Sequence, residues 1–119
     1  MIALFISESV PYEACWDTFL ALCDDEITAV KVAQKYCAIH INREIEHIEE
    51  HLILFQNQSN YNAKEDTKRI KEQMEMLEDI ETSSTLDQIT AAYKIYGVDG
   101  FYIKDCQLIT DPADYSIEE

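Results

Sequence analysis

Residues 25–55 read DEITAVKVAQKYCAIHINREIEHIEEHLILF, a stretch without Gly or Pro. Ile27, Val30, Cys37, Ile41, Ile45, Ile48, Leu52 and Phe55 recur at spacings that hold one helical face apolar, with Ala33 or Gln34 filling the gap. Asp24 or Asp25 stands where a carboxylate can accept a hydrogen bond from a free backbone N–H at a helix start. The pattern predicts one long helix. An isolated helix gains little from propensity, so its apolar stripe needs a packing partner from the rest of the chain.

Downstream, Asn57, Gln58, Ser59, Asn60 and Asn62 read as a polar loop. Asn62 followed by Glu65 resembles a capping box. Ala63, Thr67, Ile70, Met74, Leu77 and Ile80 then mark one face of a second helix ending near Glu81. Folding back sets Ile70 near Ile48, Met74 near Ile45 and Leu77 near Ile41, an antiparallel hairpin with matching stripes. Bases precede acids along the second helix, against the helix dipole. The hairpin would place Lys64, Lys68, Arg69 and Lys71 beside Glu46, Glu49 and Glu50. It would place the acidic end beside Lys31, Lys35 and Arg43.

Two shorter helices complete the expectation. Pro11 opens one, with Tyr12, Cys15, Trp16, Phe19, Leu20 and Cys23 on its apolar face and Trp16 and Phe19 as core anchors. Ser84 caps the other, which carries Leu86, Ile89, Tyr93 and Tyr96 and ends at Gly97. Ile2–Ile6 reads as a buried strand, and Phe101–Thr110 as a hairpin turning at Lys104 and Asp105. The fold class is therefore α+β and mostly helical. It is a long antiparallel helical hairpin plus two shorter helices, with a small antiparallel sheet from the two termini, in a single domain over 1–119.

The chain has 119 residues, 9 Lys and Arg against 24 Asp and Glu, and a net charge of −15. That field opposes nucleic acid and anionic membranes and favours basic partners. Hydrophobic residues make up 47%, enough to exclude wholesale disorder. No run is long enough for a membrane span, and none has the form of a signal peptide. Cys15, Cys23, Cys37 and Cys106 form no C-x-x-C pair, and Cys15 and Cys37 fall on apolar helical faces. Buried thiols of this kind fit a reducing, cytoplasmic compartment.

His40, Glu44, His47 and His51 form a second stripe on the long helix, rotated by about 100° from the first. His47-Ile-Glu-Glu50-His51 matches the inverted zinc-peptidase motif H-x-x-E-H, and Glu44-Ile-Glu-His47 matches the E-x-x-H of di-iron bundles. A metal reading would place zinc on this stripe. No third peptidase ligand and no second E-x-x-H is evident, and a solvated His/Glu face explains the same residues. Residues 32–48 faintly follow a helix-turn-helix pattern, but Glu44 and Glu46 there, and Glu49 and Glu50 just beyond, would repel phosphates. With only Gly97 and Gly100 present, no Gly-rich phosphate loop can form, and G-x-S-x-G is absent.

The carboxylates remain. Glu72, Glu75, Glu78, Asp79 and Glu81 line one helical end, and Glu46, Glu49 and Glu50 another. Acids three or four residues apart on a helix lie about 5–6 Å apart, a spacing that can compete with phosphates for Arg and Lys. The size, acidity and lack of catalytic motifs are similar, in composition though not in any shared motif, to small phage-encoded inhibitors and toxin-immunity proteins. The expected function is thus a non-enzymatic acidic protein that inhibits or sequesters a basic, nucleic-acid-handling partner. The tail acids Asp111, Asp114, Glu118 and Glu119 rank last as contacts. Val32, Ile39 and Ile53 lie off the main stripe and raise a homodimer or a dimeric helical adaptor as further expectations.

Overall fold

The computed structural model describes residues 1–107 and 109–115. The fold is α+β and mostly helical. Strands β1 (Ile2–Val10) and β2 (Ala14–Cys23) lead into helix α1 (Glu26–Phe55). Helices α2 (Ala63–Glu81) and α3 (Leu86–Ala92), strand β3 (Val98–Asp105) and a 3-10 turn over Pro112–Asp114 follow.

Asp25 caps α1, its carboxylate accepting from the Thr28 N–H at 2.7 Å. Asn62 caps α2 by accepting from the Lys64 N–H at 3.1 Å. The links between α1 and α2 run in opposite order along the two helices: Gln34 to Ile80, Glu44 to Arg69, His51 to Asp66. The helices therefore pack antiparallel. Ile41, Ile48 and Ile80 are buried, whereas Met74 is 59% exposed and stands off the interface. Ile27 is 68% exposed, because helical spacing turns it away from the face that buries Ala29, Ala33 and Cys37.

The sheet is three-stranded and antiparallel in the order β2-β1-β3. Both termini contribute strands, as expected, but two elements differ from the sequence reading. Ala14–Cys23 is a strand and not a helix. The Glu13 N–H donates to the Val10 carbonyl at 3.1 Å, closing a tight turn at Pro11 and Tyr12. Pro11 heads that turn, as Pro favours, and β2 returns along β1. Between Leu4 and Phe5 the register shifts and Leu20 becomes the extra residue of β2. The register is regular from Ala14 to Phe19, so the neighbours Cys15 and Trp16 point to opposite sides of the sheet and the helix-like spacing of the apolar residues does not mark one buried face. Trp16 and Phe19 are consequently 45% and 53% exposed and are not core anchors. Cys15 is exposed as well.

The second difference is at the C-terminal end. β3 is one strand, and Cys106, Gln107, Ile109 and Thr110 form no return strand. Leu108, which the expected return strand includes, lies outside the described residues, as do Glu118 and Glu119. Helix α3 also ends early, at Ala92, and Thr85 caps it by accepting from the Gln88 N–H. Gly97 lies beyond the helix at φ 89°, where its carbonyl accepts from the Ser9 N–H and ties the chain to β1. Tyr12 has φ 65° and is fully exposed, a conformation that costs a non-Gly residue about 1–2 kcal/mol.

One face of the sheet sends Leu4, Ile6 and Phe101 into the core with Ala29, Ala33, Cys37 and Ile41 of α1 and Ile89 of α3. On the other, Phe5 stacks on Tyr102 at 5.2 Å and meets the edge of Phe19 at 5.8 Å. The Lys104 ammonium lies 5.7 Å from both the Phe5 and Tyr102 rings.

Ile80→Ala should cost about 2–5 kcal/mol of folding stability in urea denaturation, while Ile27→Ala should stay within about 0.5 kcal/mol. Equal losses at the two sites would contradict the packing. Burial pushes the Cys37 thiol up to about 12 and raises that of Cys23. Timed alkylation with mass mapping should therefore label exposed Cys15 first and reach Cys37 only on unfolding.

Candidate functional site: the acidic helical faces

Glu72, Glu75 and Asp79 follow one another at three and four residues along α2, so they share one face. That face forms one wall of a groove of about 340 Å³. Gln73 and Met76 of α2 line it too, and Ala92 and Lys94 line it opposite. Lys68 reaches Glu72 at 3.9 Å within the helix. Glu78 and Glu81 are exposed on the same helix, outside the groove lining.

The backbone of this acidic end is held by α1. The Gln34 amide donates to the carbonyls of Ile80 at 3.1 Å, Glu81 at 3.5 Å and Ser83 at 2.8 Å. The Ile80 and Glu81 carbonyls belong to the negative pole of α2, so donation from Gln34 offsets part of the cost of placing acids there.

Glu46, Glu49 and Glu50 are exposed on α1. Among the described residues none of them makes an ion pair, and neither do Lys31, Lys35 and Arg43. The charge registry expected across the hairpin is therefore not formed. Its cross-helix ion pairs are Arg69 with Glu44 at 3.2 Å and His51 with Asp66 at 2.7 Å. Both sets of acids are exposed, on different faces of the hairpin, and of the eight only Glu72 meets a cation, Lys68, among the described residues.

The His/Glu stripe is divided among several partners. Glu44 faces the Arg69 guanidinium, so a cation already occupies its approach. His51 is held by Asp66 through Nδ1, and the His40 ring lies against Tyr36 at 4.4 Å. His47 shares a shallow depression with Glu44, His51 and Arg69. No group of three or more His, Cys, Asp or Glu is arranged to hold a metal ion among the described residues.

Asp66 was invisible as a special residue in the sequence, where it is one acid among many. It is 5% exposed. It accepts from the Tyr61 hydroxyl, pairs with His51 and meets Arg69 at 3.4 Å. The Tyr61 and His51 hydrogen bonds hold its carboxyl below the usual value, against the opposing effect of desolvation. Desolvation and the Asp66 contact push the Tyr61 phenol up to about 12.

Comparison with known proteins finds no family model, no curated protein and no solved structure that matches this chain. No helix among the described residues is long and apolar enough to cross a membrane.

A carboxyl held below its ordinary value gives stability that is complete above that value and lost as pH falls through the folded one. Asp66→Asn should therefore lower the denaturation midpoint at neutral pH, and the gap to the parent chain should narrow below pH 3.8. A gap of constant size across that range would show that the carboxylate charge is not its source.

Proposed function

We propose that this chain is an acidic, non-enzymatic binding protein that inhibits or sequesters a basic, nucleic-acid-handling protein. It would act in the manner of a nucleic-acid mimic, a phage-type inhibitor or an immunity protein. The observation that carries this reading is the groove walled by Glu72, Glu75 and Asp79 on a body of net charge −15. A row of carboxylates on one helix face meets Arg and Lys donors with geometry close to that of phosphates. The surrounding field steers a positive surface toward it from a distance. Glu78 and Glu81 add exposed charge on other sides of the same helix, and Glu46, Glu49 and Glu50 form a second row that makes no ion pair among the described residues.

The same charge argues against direct binding to nucleic acid or an anionic membrane. The four cysteines are free, and we place the protein in the reducing cytoplasm. The partner contributes phosphate-binding Arg and Lys, and the chain needs no cofactor for this role.

The test is surface plasmon resonance against a panel of basic nucleic-acid-binding proteins, with duplex DNA as competitor. A binder should be displaced by DNA, and its association should slow as salt rises from about 50 to about 200 mM. The triple variant Glu72→Lys, Glu75→Lys, Asp79→Lys should slow association about tenfold or more with the fold intact by circular dichroism. Unchanged association of this variant, or a panel without binders at low salt, would defeat the reading.

A further inference from the structure

We propose that the outer edge of β2, over Ala14–Phe19, takes an extended basic strand of the partner protein as a fourth strand of the sheet. This rests on the reading above that the partner is basic, and it adds how that partner docks. In the order β2-β1-β3, β1 is central and β2 is an edge. All six residues from Ala14 to Phe19 are exposed. Among the described residues β1 is their only strand partner. The opposite edge is treated differently: α3 packs beside β3, and Thr90 Oγ1 accepts from the Phe101 N–H at 3.1 Å.

Natural edges are usually blunted by Lys, Pro or a covering element. Ala14–Phe19 contains neither Lys nor Pro, and its one charged residue is Asp17. Asp17 and the bulge at Leu20 are the blunting devices of this segment, and the bulge limits pairing to those six residues. They span about 20 Å, enough for a short ladder.

Charge selects the occupant. Residues 1–30 contain Glu8, Glu13, Asp17, Asp24, Asp25 and Glu26 and no Lys or Arg. A second copy paired along this edge would set like charges against each other, so the edge can stay open without self-association. A strand bearing Lys or Arg meets attraction at the same place. Trp16 and the fully exposed Tyr12 offer ring faces to those cations. The left-handed backbone of Tyr12, where Gly or Asn is usual, sets its ring at the tip of the hairpin. Recognition of this kind joins main-chain hydrogen bonds along the edge to side-chain selection at alternate residues.

The experiment titrates the intact chain with a short synthetic peptide of alternating Val and Lys, followed by amide exchange in NMR. The outward amides between Ala14 and Phe19 should gain protection. The same peptide methylated on alternate backbone nitrogens keeps its charge but cannot pair, and it should bind at least about tenfold more weakly. Equal binding by the methylated peptide would overturn the proposal. Binding confined to Glu72, Glu75 and Asp79 would also overturn it, while leaving the acidic-protein reading intact. Binding nowhere would remove both. Protection of the same amides in concentrated protein without peptide would mean that a second copy occupies the edge, and the proposal would fall.

Discussion

Everything in this structure depends on one face of α1. Ala29, Ala33 and Cys37 are fully buried there, and Ile41 nearly so. Three small side chains in succession let the sheet and α3 approach the helix backbone closely, and interiors gain from such contact. Thirty residues make a helix about 45 Å long, a large part of a molecule measuring 69 × 33 × 22 Å. The sheet and α3 cover its first half. Beyond Ile41 the main companion is α2, joined near the end by Tyr61 of the preceding loop.

That asymmetry explains where polar links appear. Near the core, burial holds the elements together, and Gln34 adds a clasp on the terminal carbonyls of α2. At the far end, Ile53 and Leu54 are 68% and 73% exposed, and Leu52 and Phe55 are only half-buried. One companion helix cannot enclose both sides of α1 there. Asp66, Tyr61, His51 and Arg69 supply the missing constraint as a hydrogen-bonded network, with His51 also packed on Phe55 at 4.5 Å. Such a network depends on protonation in a way the apolar half does not.

The same division governs what could be read from the sequence. α1 and α2 were legible because cap, stripe and loop agree over many residues, and Asp25 and Asn62 both cap as their positions suggest. β2 was not, because its apolar residues happen to recur at helical spacing, and pairing with β1 settles the matter through residues distant in sequence. The turn was the readable clue: Pro11 followed by Tyr12 and Glu13 fits a tight turn as well as a helix start. The acidic rows were legible as rows, since helical spacing fixes them. Their separation onto different faces was not, nor was the burial of Asp66, because both follow from how α2 lies on α1.

The open edge and the acidity belong to one physical argument. A field from many carboxylates acts over distance but is screened beyond about 8 Å at physiological ionic strength. It can raise encounter rates and repel copies, yet it contributes little to holding a docked partner in place. Holding requires short-range, directional contacts. Exposed carboxylates paired one by one contribute only on the order of 0–1 kcal/mol each. Backbone groups along a strand edge are directional and indifferent to side-chain sequence, so they can hold a partner but cannot choose one. On β2 the two lie together: Asp17 within the strand, Glu13 at the turn and Glu8 on the adjoining strand surround an edge of unpaired backbone. In the docking we propose, acidity would do the choosing and the backbone the holding, and neither would suffice alone.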